Sequence, residues 1–498
     1  MNRSGTVIVL GAGASADAGY PLANDLLEPF QKAVEKSSLK TLEMRKKQFD
    51  FLSQYGVKTE KIPEGGLTIL EWFQKAWKKY LKVAKNLRPL DIPKLHPDGR
   101  PDTSSQVIRD TPSGSPAFTS YGAFLEGKNH LPAYLESFFA FYDDYMRPSL
   151  YKEDRELGGL RTVQWRFRDL RKIAIETVYR ELNAYHKPRA DYLRPLFECA
   201  GPEKRGCVIA SLNHDPVIEQ IASKYGISIY DGFSSKQNYK IPLPDGWEEV
   251  ETLKKRWEAV TEWYEFIGFQ ETPEEANLLL KLHGSLGWYV IEEGNGEIGY
   301  RDDLRHNVVY KYFRLPYETF WTLKNQENII QLATGGTNDP VIQTNREQLT
   351  RKAGSVWIRP YLIFARALKA HPDLMYLELT TTFSSLINKA RAIIVIGYSW
   401  GDSHVNDLIL DAVARGASLI NVSKSALQRS ALALWMHRFP TTYHMLRNRL
   451  FMFGGGAKRV LEEGIVDLPS GGSQELDFID SINKGLPVEL SLKETYIV

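Results

Sequence analysis

Cysteine is nearly absent: the 498-residue chain holds only two, Cys199 and Cys207. Two thiols exclude a disulfide framework and any zinc site that needs four thiolates. They permit one loop-closing disulfide, but the expected state is a reduced pair in a cytoplasmic protein. Long apolar runs are missing too, since no stretch reaches the eighteen or so residues of a membrane span. The first apolar run, Val7 to Leu10, is too short for the core of a signal peptide and passes straight into glycines. Nor is there charge of one sign: Lys+Arg 63 against Asp+Glu 61 leaves a formal net charge of +2. No global field then draws in nucleic acid or an anionic membrane, and neither is an expected direct partner.

What the chain does hold is apolar material, 43% of it, enough to bury a core without staples. At roughly 100–200 residues per domain, the length fits two to four domains, or one carrying a large insertion. Short β-branched or aliphatic runs stand out, each ending in small or polar residues. They are Thr6–Leu10 before GAGAS, Gly206–Leu212 before NHD, Asn277–Leu282 before HGS and Ala392–Ile396 before GYSWGD; a further run, Ala417–Ile420, meets Asn421. Continuous Val/Ile/Leu runs of this kind predict strands of a parallel sheet buried on both faces. In open α/β sheets, ligands bind beyond the carboxyl ends of the strands. The residues just after each run are therefore expected to converge on one crevice.

Amphipathic, helix-like stretches fill the intervals: Asp25–Leu52, Leu131–Phe141, Thr162–Tyr185, Trp247–Phe266, and Phe383–Ala390 leading into a strand. Roughly 190 residues separate the first strand from the second, far beyond an ordinary connection. Most of that interval is expected to be an inserted, mainly helical subdomain. Within it, 86–122 is rich in Pro, Ser, Asp and Gly and reads as a long mobile loop, whether a lid, a partner-binding segment or a plain surface excursion. The aromatics Phe138, Phe139, Phe141, Tyr142 and Tyr145 suit a subunit interface or the insertion's own core. Glu292–His306 reads as a turn or hairpin, and Gly454–Val498 as a loosely attached tail. The expected fold class is α/β, a Rossmann-like parallel sheet with a large, mainly helical insertion.

Gly11-Ala12-Gly13-Ala14-Ser15-Ala16 fits the G-x-G-x-x-G/A pattern that lets backbone approach a pyrophosphate at a helix start. An ordinary dehydrogenase is not indicated, because no second strand with a closing acidic residue follows about 20 residues on. Asn213 and Asp215 end the second strand, where turn chemistry alone would also favour Asn and Asp. His283 ends the third. His214 is expected on the opposite side from Asn213 by period-two alternation. Gly397 allows close backbone approach, Ser399 offers a hydroxyl, and Asp402 is placed to cap the following helix. Asn421 is read as closing the fifth strand.

Taken in order, GAGAS, NHD, HG, GYSxxD and IN resemble the motifs of the sirtuin-like NAD-binding superfamily. Its first motif, GAGxSxxxGIP, is matched by Gly11, Gly13, Ser15, Gly19 and Pro21. The Asn-x-Asp is matched by Asn213 and Asp215, the His-Gly by His283 and Gly284, the Gly-x-Ser by Gly397 and Ser399, and the nucleotide-contacting Asn by Asn421. Departures matter equally. Deacylase sirtuins have Asp-Phe-Arg where this chain has Leu22-Ala23-Asn24, Gln where it has Leu212, and a four-cysteine zinc ribbon. The pattern is closer to zinc-less bacterial sirtuin-like proteins of antiphage defence.

That resemblance implies a sirtuin-like three-layer catalytic domain over 1–21 and 201–430, interrupted by 22–200 and extended by 431–498. It implies hydrolysis of NAD⁺, bound as substrate without a metal, to nicotinamide and ADP-ribose. Asn213 would orient water or a ribose hydroxyl, and His283, of a type titrating near 6.5, would accept a proton. Asp215 would orient His283 or the nicotinamide carboxamide. Gly11, Ala12, Gly13 and Ser15 would hold the pyrophosphate, with Ser399, Asp402 and Asn421 near the adenosine half. The alternatives are an NAD- or ADP-ribose-sensing assembly module, an ADP-ribosyltransferase and a deacylase. A gated homo-oligomer is expected, with a partner such as an ATPase or an Argonaute-like sensor.

Overall fold

The computed structural model describes residues 5–39, 68–85, 138–139, 160–183, 190–199, 206–233, 264–270, 276–294, 308–314, 356–363, 374–400, 402–424, 449–467 and 473–484. Strands follow in chain order as β1 (Thr6–Leu10), β2 (Val208–Ser211), β3 (Ile229–Tyr230), β4 (Tyr264–Glu265), β5 (Asn277–Lys281), β6 (Gly284–Gly294) and β7 (Val308–Arg314). They continue as β8 (Val356–Leu362), β9 (Ala392–Ile396), β10 (Ser418–Ser423), β11 (Leu450–Gly454), β12 (Ile465–Asp467) and β13 (Ser473–Glu475). Each expected run is a strand.

The main sheet runs β3-β5-β2-β1-β9-β10-β11-β12-β13. It is parallel from β3 to β11 and antiparallel at the β12 and β13 edge. With the two-residue edge strand β3 set aside, the parallel strands stand in the order third, second, first, fourth, fifth, sixth, that of a doubly wound sheet. Val7 and Val9 of β1 enter one core and Ile8 and Leu10 the other, so both faces are covered. That is why these strands read as continuous apolar runs.

The register places the site. Lys281, Ser211, Leu10, Ile396 and Val422 lie in one row across β5, β2, β1, β9 and β10. The chain leaves β1 for β2 on one side and returns to β9 on the other. The carboxyl ends of β1, β2 and β9 thus flank the switch point, and Gly11, Leu212 and Gly397 stand one residue beyond the row.

Between β1 and β2 the described residues include helices over 27–39, Ile69–Lys85 and Leu160–Asn183. They share a core of their own, in which Phe30, Trp72, Phe73, Phe138, Phe139 and Phe167 interlock, as in the edge-on pair Phe30–Phe73 with centroids 5.3 Å apart. Phe138 and Phe139 therefore pack inward; Phe141, Tyr142, Tyr145 and the segment 86–122 lie outside the described residues. The helix Leu160–Asn183 sends Val163, Phe167, Leu170 and Ala174 into this core and Val178 and Leu182 into the core under the main sheet. Its single stripe at helical spacing joins the two.

Two expectations need correction. Trp247–Phe266 does not end as helix, because Tyr264–Glu265 pairs antiparallel with β7. Over 450–467 and 473–484 the tail is not loosely attached, because β11 pairs with β10 and Val460, Val466 and Phe478 are buried. The LFMFG run is a buried strand ahead of a glycine turn, and that turn hid it in the sequence. The expected hairpin stands, since β6 and β7 pair antiparallel up to Gly294 opposite Val308. Among the described residues, no helix is long and apolar enough to cross a membrane.

Candidate active site

The glycines after β1 and β9 serve each other. Gly11 N–H donates to the Ile396 carbonyl at 3.0 Å, and Gly13 N–H to the Gly397 carbonyl at 2.9 Å. Gly397 has φ +63°, and a β-carbon there would lie 2.2 Å from Ala14 N. A β-carbon on Gly11 would lie 2.5 Å from Tyr398 Cα. No side chain fits between these two loops. The amides of Gly11 and Gly13 thus lock the β1 turn to the β9 turn, whereas the sequence reading points them at a pyrophosphate. The helix they open spans only Ala12–Ala16. Ala12 and Pro21 are half-buried, and Gly19 is exposed.

Over the end of β2, both amide hydrogens of Asn213 are committed. Nδ2 donates to the Gly11 carbonyl at 2.9 Å and to Ser15 Oγ at 3.1 Å. Only Oδ1 is left to accept from a water or hydroxyl. Ser15 in turn hydrogen-bonds to Asp215, whose Oδ1 accepts Val217 N–H at 3.2 Å. Burial pushes the Asp215 carboxyl above the usual range, opposed by the nearby Lys281 charge and the Ser15 hydrogen bond.

Beneath lies a buried ion cluster. Lys281, 0% exposed, donates from Nζ to the Asp215 carbonyl, and Nζ lies 3.6 Å from Glu219 Oε1. Ser285 Oγ donates to the same Glu219 oxygen at 3.2 Å. Burial raises Glu219 as well, again against Lys281. Tyr20, buried above both carboxyls, has its phenol pushed up by burial and by their charge. This cluster escapes motif reading, yet a lysine inside the apolar run Asn277–Leu282 is a visible signal of it.

His283 Nε2 lies 3.0 Å from Asp402 Oδ2, with side chains 13% and 9% exposed. Strands β5 and β9 are three positions apart, about 14 Å, so the turns beyond them lean together over β2 and β1. The His283 backbone is pinned by Ile363 N–H, which donates to its carbonyl at 2.9 Å. Asp402 also caps the helix Ser403–Ala414, its Oδ1 accepting His404 N–H at 3.1 Å. The capping role read from the sequence holds, but the carboxylate facing His283 is Asp402, where the sequence reading names Asp215. A carboxylate only accepts, so Nε2 is the donor of this pair when Asp402 is ionised, which leaves Nδ1, the ring's other nitrogen, for outward chemistry.

The His214 ring centroid is 6.1 Å from that of His283, on the β5 side, whereas the Asn213 side chain reaches Gly11 and Ser15 on the β1 side. Burial, together with the His283 and Lys281 charges, pushes His214 down to about 3. Asn421 does not close its strand: β10 runs on to Ser423, and the Asn421 side chain is buried, accepting Trp400 Nε1–H at 3.3 Å. Ser399 is exposed.

Cys199 and Cys207 are unlinked and buried. Cys207 Sγ bonds Asn277 Oδ1 at 3.1 Å, and burial raises Cys199 to about 12. Comparison with protein-family models and with curated proteins finds no match for this chain.

Proposed function

We propose that this chain hydrolyses NAD⁺ to nicotinamide and ADP-ribose, on a sirtuin-like three-layer domain. One observation carries the reading: a His283–Asp402 pair and the Oδ1 of a clamped Asn213 both stand over the carboxyl ends flanking the switch point. The doubly wound strand order and the five ordered motifs support it.

The chemistry asks little of the protein. Water attacks C1′ of the nicotinamide ribose, the C1′–N bond breaks, and its electron pair neutralises the pyridinium. Asn213 Oδ1 accepts one hydrogen of that water and aims its lone pair. His283 Nδ1 takes the released proton, and Asp402 stabilises the imidazolium that forms. Asp215, buried against Ser15, holds the floor. A zinc-ribbon deacylase fits poorly, since both thiols are buried and Cys207 is bound to Asn277.

The same reading makes the chain a cytoplasmic, gated effector of bacterial antiphage defence. It assembles with itself and with a partner such as an ATPase or an Argonaute-like sensor. An always-active NADase would deplete its own cell, and the interval 22–200 is where the gate is placed. A second reading, an NAD- or ADP-ribose-sensing module without turnover, draws on the same five ordered motifs.

The test is incubation of purified protein with NAD⁺, alone and with candidate activators, against Asn213→Ala and His283→Ala. Each variant should lose about a hundredfold or more of turnover. Unchanged turnover in both overturns hydrolysis at this site. NAD⁺ binding with no product under any activating condition establishes the sensing module instead.

A further inference from the structure

The loop between β9 and the helix Ser403–Ala414 holds the molecule's one non-glycine residue with positive φ among the described residues, Trp400 at +59°. A bulky aromatic in the left-handed region is strained and persists only where its surroundings fix it. Here they do. Trp400 is 0% exposed and its ring lies 5.5 Å from that of Tyr398. Its Nε1–H donates to Asn421 Oδ1 at 3.3 Å, and its carbonyl accepts Asn406 Nδ2–H at 2.9 Å. The Tyr398 hydroxyl donates to Asn406 Oδ1 at 2.8 Å and accepts Asp402 N–H at 2.9 Å, with the Asp402 carbonyl 3.0 Å away.

The Tyr398 hydroxyl bonds the backbone of Asp402, the residue that faces His283, and the other bonds fix Trp400 and Asn406 beside it. Tyr398 and Asn421 are both buried, with Asn421 inside β10. We propose that Tyr398, Trp400 and Asn421 are positioning residues: they hold the loop in its left-handed form and thereby aim the Asp402 carboxylate at His283. Asn421 then acts from inside the sheet, through Trp400, instead of meeting a nucleotide. The inference deepens the proposed hydrolase at the same site and rests on that reading only for its effect on turnover. The geometric part stands on its own.

The test uses full-length protein with ¹⁵N-labelled histidine. A proton held between His283 Nε2 and a carboxylate gives a downfield, slowly exchanging N–H resonance, assigned by its loss in His283→Gln and Asp402→Asn. In Tyr398→Phe that resonance should broaden or vanish while far-UV circular dichroism stays that of the wild type. Where NAD⁺ is turned over, kcat should fall about tenfold or more with KM within about twofold. Trp400→Phe, which keeps an aromatic side chain and removes the donor, should weaken the resonance in the same way and serves if Tyr398→Phe does not fold. A resonance intact in both variants overturns the proposal, as does its absence from wild type. A resonance lost in Tyr398→Phe from a wild type that turns over no NAD⁺ upholds the positioning network and rejects the hydrolase.

Discussion

Over β1, β2 and the end of β5, the residues Ser15, Asn213, Asp215, Glu219 and Lys281 are each at least nine-tenths buried and hydrogen-bonded to the fold. Over the ends of β5 and β9, His283 and Asp402 meet with part of each side chain open. Both groups are polar, and both lie at the carboxyl edge of one sheet, yet what their polar atoms are committed to separates their work. A side chain whose donors are all spent inside the fold cannot meet a substrate without breaking what holds it. In the proposed hydrolase, the floor then carries the geometry and the rim the chemistry. Asn213 belongs to both, its amide hydrogens to the floor and its Oδ1 to the rim.

The hardest way to break that division is at Lys281. Lys281→Met strands Glu219 and the Asp215 carbonyl without their cation, and stability should fall by about 3–5 kcal/mol in a urea melt. The double variant Lys281→Met with Glu219→Leu should recover part of that loss, because the Glu219 carboxyl leaves with its cation while Asp215 still loses the Lys281 charge. His283→Ala, on the rim, should cost less than about 1 kcal/mol while abolishing turnover. If Lys281→Met melts like the wild type, the cluster is no floor. If His283→Ala melts as low as Lys281→Met, the rim is not separable from it.

A smaller effect sharpens the border between the two, where His214 sits beside His283. The folded His214 lies at about 3 against an ordinary 6.5, so the folded state binds fewer protons than the unfolded chain across that window. Its contribution is fully present above 6.5 and is lost as the pH falls toward 3. Asp215 and Glu219 are raised, which has the opposite sign: their contribution is present below the ordinary carboxylate range and is lost as the pH rises through their folded values. His214→Gln removes the histidine component alone. Below pH 6.5 the variant should lose stability more slowly than the wild type, by at most about 1.4 kcal/mol per pH unit. Melts at a series of pH values from 4 to 7 measure it, and parallel curves for the two proteins would exclude His214 as a neutral, buried partner of His283.

The floor and the rim were not equally legible. β1 and β9 have the bounds their apolar runs predict, because a strand buried on both faces writes itself as an unbroken run. The turns beyond them carry the expected residues, since a sheet in register must bring its carboxyl ends to one edge. Partner choice was beyond reach. Asp402 meets His283 only because two turns three strands apart lean together, and no spacing in the chain encodes that approach. Asn421 was read two residues too near the end of its strand, since β10 is prolonged by pairing with β11, a run masked by the glycines that follow it. Lys281 was written in plain view, a charge within an apolar run, and says that a buried counter-charge must exist without saying where.

The smallest effect is expected at Ser399, and it tests the rim from the side where the resemblance is most literal. The Gly-x-Ser match assigns this hydroxyl to a nucleotide, and Gly397 in the same match is fixed by packing against Gly13 and Ala14. Ser399 is exposed, so Ser399→Ala should leave stability within about 0.5 kcal/mol. Removing one neutral hydrogen bond to a bound nucleotide weakens binding by about 0.5–1.5 kcal/mol. A nucleotide contact then raises KM about two- to tenfold at constant kcat, the mark of binding lost equally from ground and transition states. KM unchanged within error, with turnover still dependent on His283, would withdraw Ser399 from the nucleotide and leave Gly397, which locks the two turns together, as the reason for the motif.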